Sequence, residues 1–224
     1  MKKKKSRVPN KLRIGAGIAA AGVAAASLLW MTSGKGKALQ VPAYEVTRVI
    51  DGDTFVTKED QHIRVASTEA PELDMCGGTE AKVALEKLIL GKPVYMKILY
   101  RDPYDRLVSL VYSEKTFINA AMLAGGYSYY ARSSPGEIGE ELKDATEKAR
   151  EGKKGIFSAS CTQMKNAEKP SCNIKGNTRN GDIYYVPTCG VYDNVEVQLY
   201  LGDQWFCSEK EAIKAGFRRP VQCK

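Results

Sequence analysis

Asp51-Gly52-Asp53-Thr54, Ile63-Arg64-Val65 and Glu69-Ala70-Pro71-Glu72 place four carboxylates and one arginine between residues 51 and 72. The runs around them read as strands. Residues 44–50 and 54–57 alternate roughly between apolar and polar, and 62–67 is another short β-like run. Asp51-Gly52 and Glu59-Asp60 supply turns between them, so the three runs predict a meander with the acids at its strand ends. Working outward, residues 80–90 set Val83, Leu85, Leu88 and Leu90 among Lys and Glu, an amphipathic helix that stops at Gly91. Residues 94–100 and 107–112 return to strand character. A short helix is expected over 117–124, ending at Gly125-Gly126, and a longer charged one over 137–150. The order β-β-β-α-β-β-α-α fits an α+β domain built on a five-stranded barrel of the OB type with three helices.

The chain has 224 residues and a net charge of +8. That charge is not spread evenly. Residues 1–13 hold seven Lys and Arg and no acid; without them 27 bases face 26 acids. Overall basicity therefore does not argue for a nucleic-acid partner, and any such argument must come from a site. Residues 14–31 are uncharged. A basic run followed by an apolar segment reads as a targeting element with its positive end in the cytoplasm. The segment's length favours an uncleaved signal anchor over a cleaved signal. Gly36-Lys37-Ala38 has the small-x-small form of a cleavage site, with lysines that weaken it. A buried core helix is the competing reading, and the lysine run disfavours it. The expected organisation is a basic n-region 1–13, an anchor 14–31, a tether 32–43, a catalytic barrel 44–157, a linker 158–171 and a Cys-rich module 172–224. Such a protein faces outward from the cell membrane or is secreted.

Phosphodiester hydrolysis requires neutralisation of charge on the phosphoryl oxygens and an activated water in line with the leaving group. Asp53 and Glu69 are oxygen donors suited to Ca²⁺, with Mg²⁺ as a second choice. Arg64 and Arg106 offer planar forks for phosphate oxygens. Glu72, three residues beyond Glu69 and across Pro71, is the candidate general base. Each residue also has a plain reading. Asp51-Gly52 is a hairpin turn when read alone, and Asp53 a turn cap. Arg64 is a structural bridge to Glu69 or Glu72, Arg106 a surface pair with Asp102 or Asp105, and Glu72 a solvated acid. Jointly the plain readings require five coincidences. His62, the one histidine, is expected at the surface, so a His–metal nuclease is not supported.

With those residues in view, the chain resembles the staphylococcal nuclease (thermonuclease) family over roughly residues 44–157. The resemblance is carried by Val49-Ile50-Asp51-Gly52-Asp53-Thr54, Ile63-Arg64-Val65, Glu69-Ala70-Pro71-Glu72 and Asp102-Pro103-Tyr104-Asp105-Arg106-Leu107. Asn119, Met122-Leu123-Ala124-Gly125-Gly126 and Gly155-Ile156-Phe157-Ser158 also fit. It implies an OB-fold barrel and a calcium-dependent, sugar-nonspecific endonuclease that cleaves DNA and RNA to 3′-phosphates. It implies Asp53, Glu69 and the Ala70 carbonyl as calcium ligands, Glu72 as base, and Arg64 and Arg106 as phosphate ligands. Two positions depart from the family: Glu69 stands for the usual Asp, and Ala70 for a commoner Thr. Tyr104, Tyr127, Tyr129 and Tyr130 fall where a base could stack, although Tyr127, Tyr129 and Tyr130 serve equally well as packing residues.

Six cysteines suit an exported chain. Cys76 and Cys161 are expected to pair, tying the loop after Glu72 to the end of the barrel domain. Cys172, Cys189, Cys207 and Cys223 make two disulfides or one Zn²⁺ site; no C-x₂-C pair is present, and the compartment favours disulfides. Some fifty residues need such a staple. Within them 183–186 and 195–201 are candidate strands, and 208–215 a short helix opened by a capping-box spacing. The stretch around Trp205–Phe206 resembles a tail module of exported bacterial nucleases. More loosely it is similar to the zinc-binding domain of Ada-type methyl acceptors, whose cysteine pairs it lacks. A monomer is expected, with no protein partner evident. Two rivals remain open: a non-catalytic OB module binding nucleic acid or peptide, and a tail that does the work with the barrel as its carrier.

Overall fold

The computed structural model describes residues 43–131, 137–179, 181–221 and 223. The expected n-region, anchor and nearly all of the tether lie outside them. Among the described residues no helix is long and apolar enough to cross a membrane.

Three antiparallel strands open the chain: β1 (Tyr44–Val49), β2 (Thr54–Thr57) and β3 (His62–Val65). A two-residue strand β4 (Thr68–Glu69) follows, and then helix α1 (Gly78–Ile89). Strands β5 (Pro93–Arg101) and β6 (Leu107–Ser113) form a long hairpin, extended by β7 (Thr116–Phe117). Sheet order is β3-β2-β1-β5-β6-β7, and β6 returns to β3 in parallel, with Arg64 opposite Val108. Five strands therefore close into the expected barrel, leaving neither β3 nor β6 with an open edge at the seam. Its interior is filled by Phe55, Ile63, Val65, Val94 and Val111, and α1 lays Ala81, Leu85 and Ile89 against the same core. The helix stripe at i, i+4 and i+8 produces this packing.

Helix α2 (Ile118–Ala124), strand β8 (Tyr129–Tyr130) and helix α3 (Glu137–Glu151) complete the barrel domain. Asn119, fully buried in α2, joins the helix to two strands. Its Oδ1 accepts from Val111 N at 2.8 Å, and its Nδ2 donates to the carbonyls of Ala66 at 2.8 Å and Ser109 at 3.4 Å. Truncation would leave the buried Val111 N–H without its acceptor and remove one of the donors to the Ala66 and Ser109 carbonyls. Asn119→Ala is expected to cost about 2–4 kcal/mol of stability, read as a lower midpoint of urea unfolding at unchanged slope.

Beyond the barrel, β9 (Thr162–Gln163) lies within the stretch 158–171 and pairs with β12 (Val197–Gln198). β10 (Ile174–Asn177) is the middle strand of a small sheet, flanked by β11 (Ile183–Tyr185) and β13 (Gln204–Phe206). The last helix, α4 (Glu209–Lys214), starts at Ser208, whose Oγ accepts from Glu211 N. The Glu211 carboxylate reaches back one residue further than a capping box requires, to Cys207 N at 2.7 Å. Ile174, Tyr184, Phe206 and Phe217 form this region's own core. Lys175 is buried within it, its ammonium donating to the carbonyls of Tyr192 at 2.9 Å and Val195 at 2.7 Å above the Tyr192 ring.

Residues 195–201 do not form one strand. The alternation of Val195, Val197, Leu199 and Leu201 suggests a period of two, but only Val197–Gln198 pairs. Leu199–Leu201 is a 3₁₀ turn that ends at Gly202. The buried Asp203 carboxylate draws the chain inward by accepting from Gln198 N, Thr178 N, Thr178 Oγ1 and Asn177 Nδ2. All six cysteines are in disulfides, Cys76–Cys161, Cys172–Cys207 and Cys189–Cys223, so zinc has no thiolates to bind.

Candidate active site

The first three strands bring their end residues to one place. Asp53 precedes β2 and is 5 % exposed. Its N–H donates to Asp51 Oδ1 at 3.0 Å. Its own Oδ1 accepts from Thr54 Oγ1 at 3.0 Å and its Oδ2 from Ala70 N at 2.7 Å. Arg64, opposite Thr54 on β3, closes the group: one terminal nitrogen makes an ion pair with Asp53 and the other contacts Glu69 Oε2 at 2.8 Å. Asp53 and Glu69 thus share one guanidinium, as a fork geometry permits. This realises the structural-bridge reading of Arg64 toward Glu69. It does not remove the second role, because a guanidinium carries five N–H donors and these contacts leave some of them for a phosphate.

Burial pushes the Asp53 carboxyl up to about 7. The Arg64 guanidinium works against that rise, the neighbouring Asp51 carboxylate adds to it, and the Ala70 N–H opposes it. The site therefore holds buried negative charge that one arginine compensates only in part. That is an environment a hard cation would improve. Among the described residues, however, no three His, Cys, Asp or Glu side chains gather into a cage. The oxygen donors that a hard cation could use at this seam are the Asp53 and Glu69 carboxylates and the Ala70 carbonyl.

Close packing shapes the loop that carries Glu69 and Glu72. A Cβ at Gly52 would stand 2.5 Å from Ala81 Cβ and 2.6 Å from Ala70 Cβ, so the glycine lets α1 and the acid-bearing loop meet over the Asp51–Asp53 turn. A Cβ at Gly78, the first residue of α1, would collide with the Glu72 carbonyl oxygen. Glu72 sits between these constraints. Its backbone is held by Met75 N donating to its carbonyl at 2.9 Å. Its side chain is exposed and, among the described residues, makes no hydrogen bond or ion pair.

Arg106 begins the return from the β5–β6 turn. Its Nε donates to Asp102 Oδ2 at 2.8 Å, matching one of the two surface pairings expected of it, while Asp105 pairs with Arg101 instead. Asp102 also accepts from Tyr104 N and Arg106 N at 3.0 Å each. Burial raises the Asp102 carboxyl, but these contacts outweigh it and hold the group below the usual carboxylate range. The Arg106 terminal nitrogens remain for a ligand. Because β6 lies beside β3, with Leu107 opposite Ile63, Arg106 and Arg64 belong to the same side of the barrel seam.

The four tyrosines differ. Tyr104 is 80 % exposed with the Arg106 guanidinium 5.3 Å from its ring centre. Tyr127 packs against the barrel core. Tyr129 pairs with Glu69 and Tyr130 with Thr68 across β4–β8, which sets Tyr129 directly at the acid cluster. His62 is exposed. Two supporting residues escaped the sequence reading as such: Thr54 and Asp51 orient Asp53 through hydrogen bonds. The signal for both was the Asp-Gly-Asp-Thr turn itself.

The seam of the barrel thus carries a buried acid, a shared guanidinium and, on the loop beyond, an exposed glutamate. The chain belongs to the staphylococcal nuclease family: the model described as "Staphylococcal nuclease homologue" matches residues 62–159. The chain is 30 % identical over 128 residues to the micrococcal nuclease of Shigella flexneri, covering 48 % of this chain and 74 % of that protein. It is 33 % identical over 124 residues to a probable endonuclease LCL3 of Leptosphaeria maculans, covering 49 % of this chain and 42 % of the relative. It is 31 % identical over 112 residues to a probable staphylococcal-like nuclease CAN1 of Oryza sativa subsp. japonica, covering 50 % of this chain and 33 % of the relative. The chain thus spans well under half of the last two.

Proposed function

We propose that this protein is an exported or surface-anchored, calcium-dependent endonuclease that hydrolyses DNA and RNA and leaves 3′-phosphates. The observation that carries the reading is Arg64 held between Asp53 and Glu69, three residues before Glu72, in a chain of the nuclease family. Three disulfides support export, since such bonds persist in oxidising compartments.

Asp53, Glu69 and the Ala70 carbonyl would hold the cation. When bound, it neutralises charge on the phosphoryl oxygens and orients the attacking water. The remaining work falls to the protein. Arg106 grips a phosphate oxygen through its terminal nitrogens while Asp102 fixes its Nε. Arg64 offers its remaining donors to the same phosphate and keeps both carboxylates in place. Glu72 accepts a proton from water as the new P–O bond forms. The P–O5′ bond breaks, and the departing 5′ oxygen takes a proton from solvent. Glu69, a methylene longer than the family's usual Asp, keeps its charge at the site through the Arg64 contact.

Digestion of single-stranded DNA by the full-length protein, with Ca²⁺ and then with excess EDTA, tests the reading. Activity is expected in Ca²⁺ and loss on chelation, with restoration on adding Ca²⁺ back. Hydrolysis indifferent to EDTA, or tight binding of DNA in Ca²⁺ without turnover, would refute it.

A further inference from the structure

The region after residue 158 does not stand apart from the acid cluster. Tyr200, fully buried in the 3₁₀ turn after β12, packs against Tyr129 and Phe157 with ring centres 5.9 Å apart in both cases. Tyr129 is the residue paired with Glu69. The turn is fixed by Leu199 N donating to the Cys161 carbonyl at 2.8 Å, and the Thr178 hydroxyl is shared between the Leu201 carbonyl at 3.1 Å and Asp203 Oδ1 at 3.0 Å. Arg179 is the next residue. It is exposed, and among the described residues it makes no hydrogen bond or ion pair. Arg179 thus follows the residue bonded to the Leu201 carbonyl, and the neighbouring Tyr200 ring packs on Tyr129, the partner of Glu69 across β4–β8.

Behind Arg179 lies a cavity of about 550 Å³, walled by Asn177, Gln198, Tyr185 and Met164. Asn177 Oδ1 is buried there without a hydrogen-bond partner. Asp193 and Glu196 line the far side, on the segment whose carbonyls Lys175 holds. The two carboxylates repel a phosphate but accept from exocyclic amines, the groups that adenine, cytosine and guanine present. The volume lies in the range of small-ligand pockets, and Tyr185 and Met164 supply apolar surface.

We propose that Arg179 and this cavity form a subsite for a nucleotide beyond the two that flank the scissile phosphate, Arg179 taking its phosphate and the cavity its base. The subsite rests on the nuclease reading for its substrate, and it makes the C-terminal region a part of the substrate groove. Only strands long enough to reach it benefit.

The test compares the full-length protein with Arg179→Ala, Met164→Trp and, as a control for lost charge, Lys214→Ala, an exposed position on α4. Binding of a labelled single-stranded oligonucleotide is measured by anisotropy in EDTA, so that no cleavage intervenes. Arg179→Ala is expected to weaken binding about tenfold and to flatten the dependence of log K on log salt by about 0.7, while Lys214→Ala does neither. Met164→Trp, which fills the cavity, is expected to weaken the normal strand and leave an abasic strand unaffected. In Ca²⁺, hydrolysis of a dinucleotide should be equal in all four proteins. Binding by Arg179→Ala that matches the Lys214→Ala control, or a Met164→Trp protein that binds both strands as the parent does, would overturn the subsite. A parent protein that binds the oligonucleotide with these sensitivities yet never cleaves it would leave the subsite standing and remove the nuclease reading instead.

Discussion

Glu72→Gln is expected to lower kcat on single-stranded DNA by about 10²–10⁴-fold, the range for removing a general base, with KM nearly unchanged. The amide has the shape of the acid but cannot take a proton from water. Nothing else should move, because the Glu72 side chain makes no hydrogen bond or ion pair among the described residues and its backbone is held by contacts the substitution does not touch. The unfolding midpoint is therefore the internal control and should match that of the parent protein. Arg64→Ala would behave differently. It leaves the buried Asp53 carboxylate without its ion pair, so it should reduce activity and stability together, as expected when a buried pair loses one member. Full activity in Glu72→Gln would contradict the assignment of the base.

The second large effect concerns the Cys76–Cys161 disulfide. It closes 85 residues of chain, and a loop of that length corresponds to about 4–5 kcal/mol of stabilisation in the chain-entropy account. The bridge also sits in a cluster with Phe157, Ile156, Tyr200 and Tyr129, so its loss loosens the loop after Glu72 and the docking of the C-terminal turn together. The double variant Cys76→Ala, Cys161→Ala is expected to unfold at a much lower guanidinium concentration, and to lose nuclease activity well below the parent's unfolding midpoint. A midpoint equal to the parent's would show that the surrounding apolar contacts alone hold this corner.

The strands of the barrel were legible because their signals are local. Thr54–Thr57 is bounded by turn residues on both sides, and α1 is a helix as its period suggests, although the stripe that packs is Ala81, Leu85 and Ile89, with Val83 and Leu90 exposed. β4 and β8 were not legible as a pair. Two residues carry no periodicity, and their pairing arises only when α2 returns Tyr129 to Glu69. The same holds for β10. Ile174-Lys175-Gly176-Asn177 reads as polar and glycine-broken, yet Lys175 is buried, because two carbonyls and the Tyr192 ring replace its water. Residues 195–201 erred in the opposite direction: a convincing alternation was overridden by a single buried carboxylate, Asp203. Within the site, residue types and order announced the acids and arginines. What the order concealed was that Arg64 holds Asp53 and Glu69 simultaneously, and that Tyr200, more than a hundred residues downstream, packs on Tyr129, the partner of Glu69.

The glycine at position 78 has a practical consequence for anyone redesigning this protein. Glu72 is located by an empty volume: its carbonyl occupies the space a side chain at 78 would need. Randomised libraries over residues 73–75 can therefore sample new chemistry at the loop only while 78 stays fixed. Swapping that glycine for even the smallest alternative should silence every clone in such a screen, whatever its loop encodes.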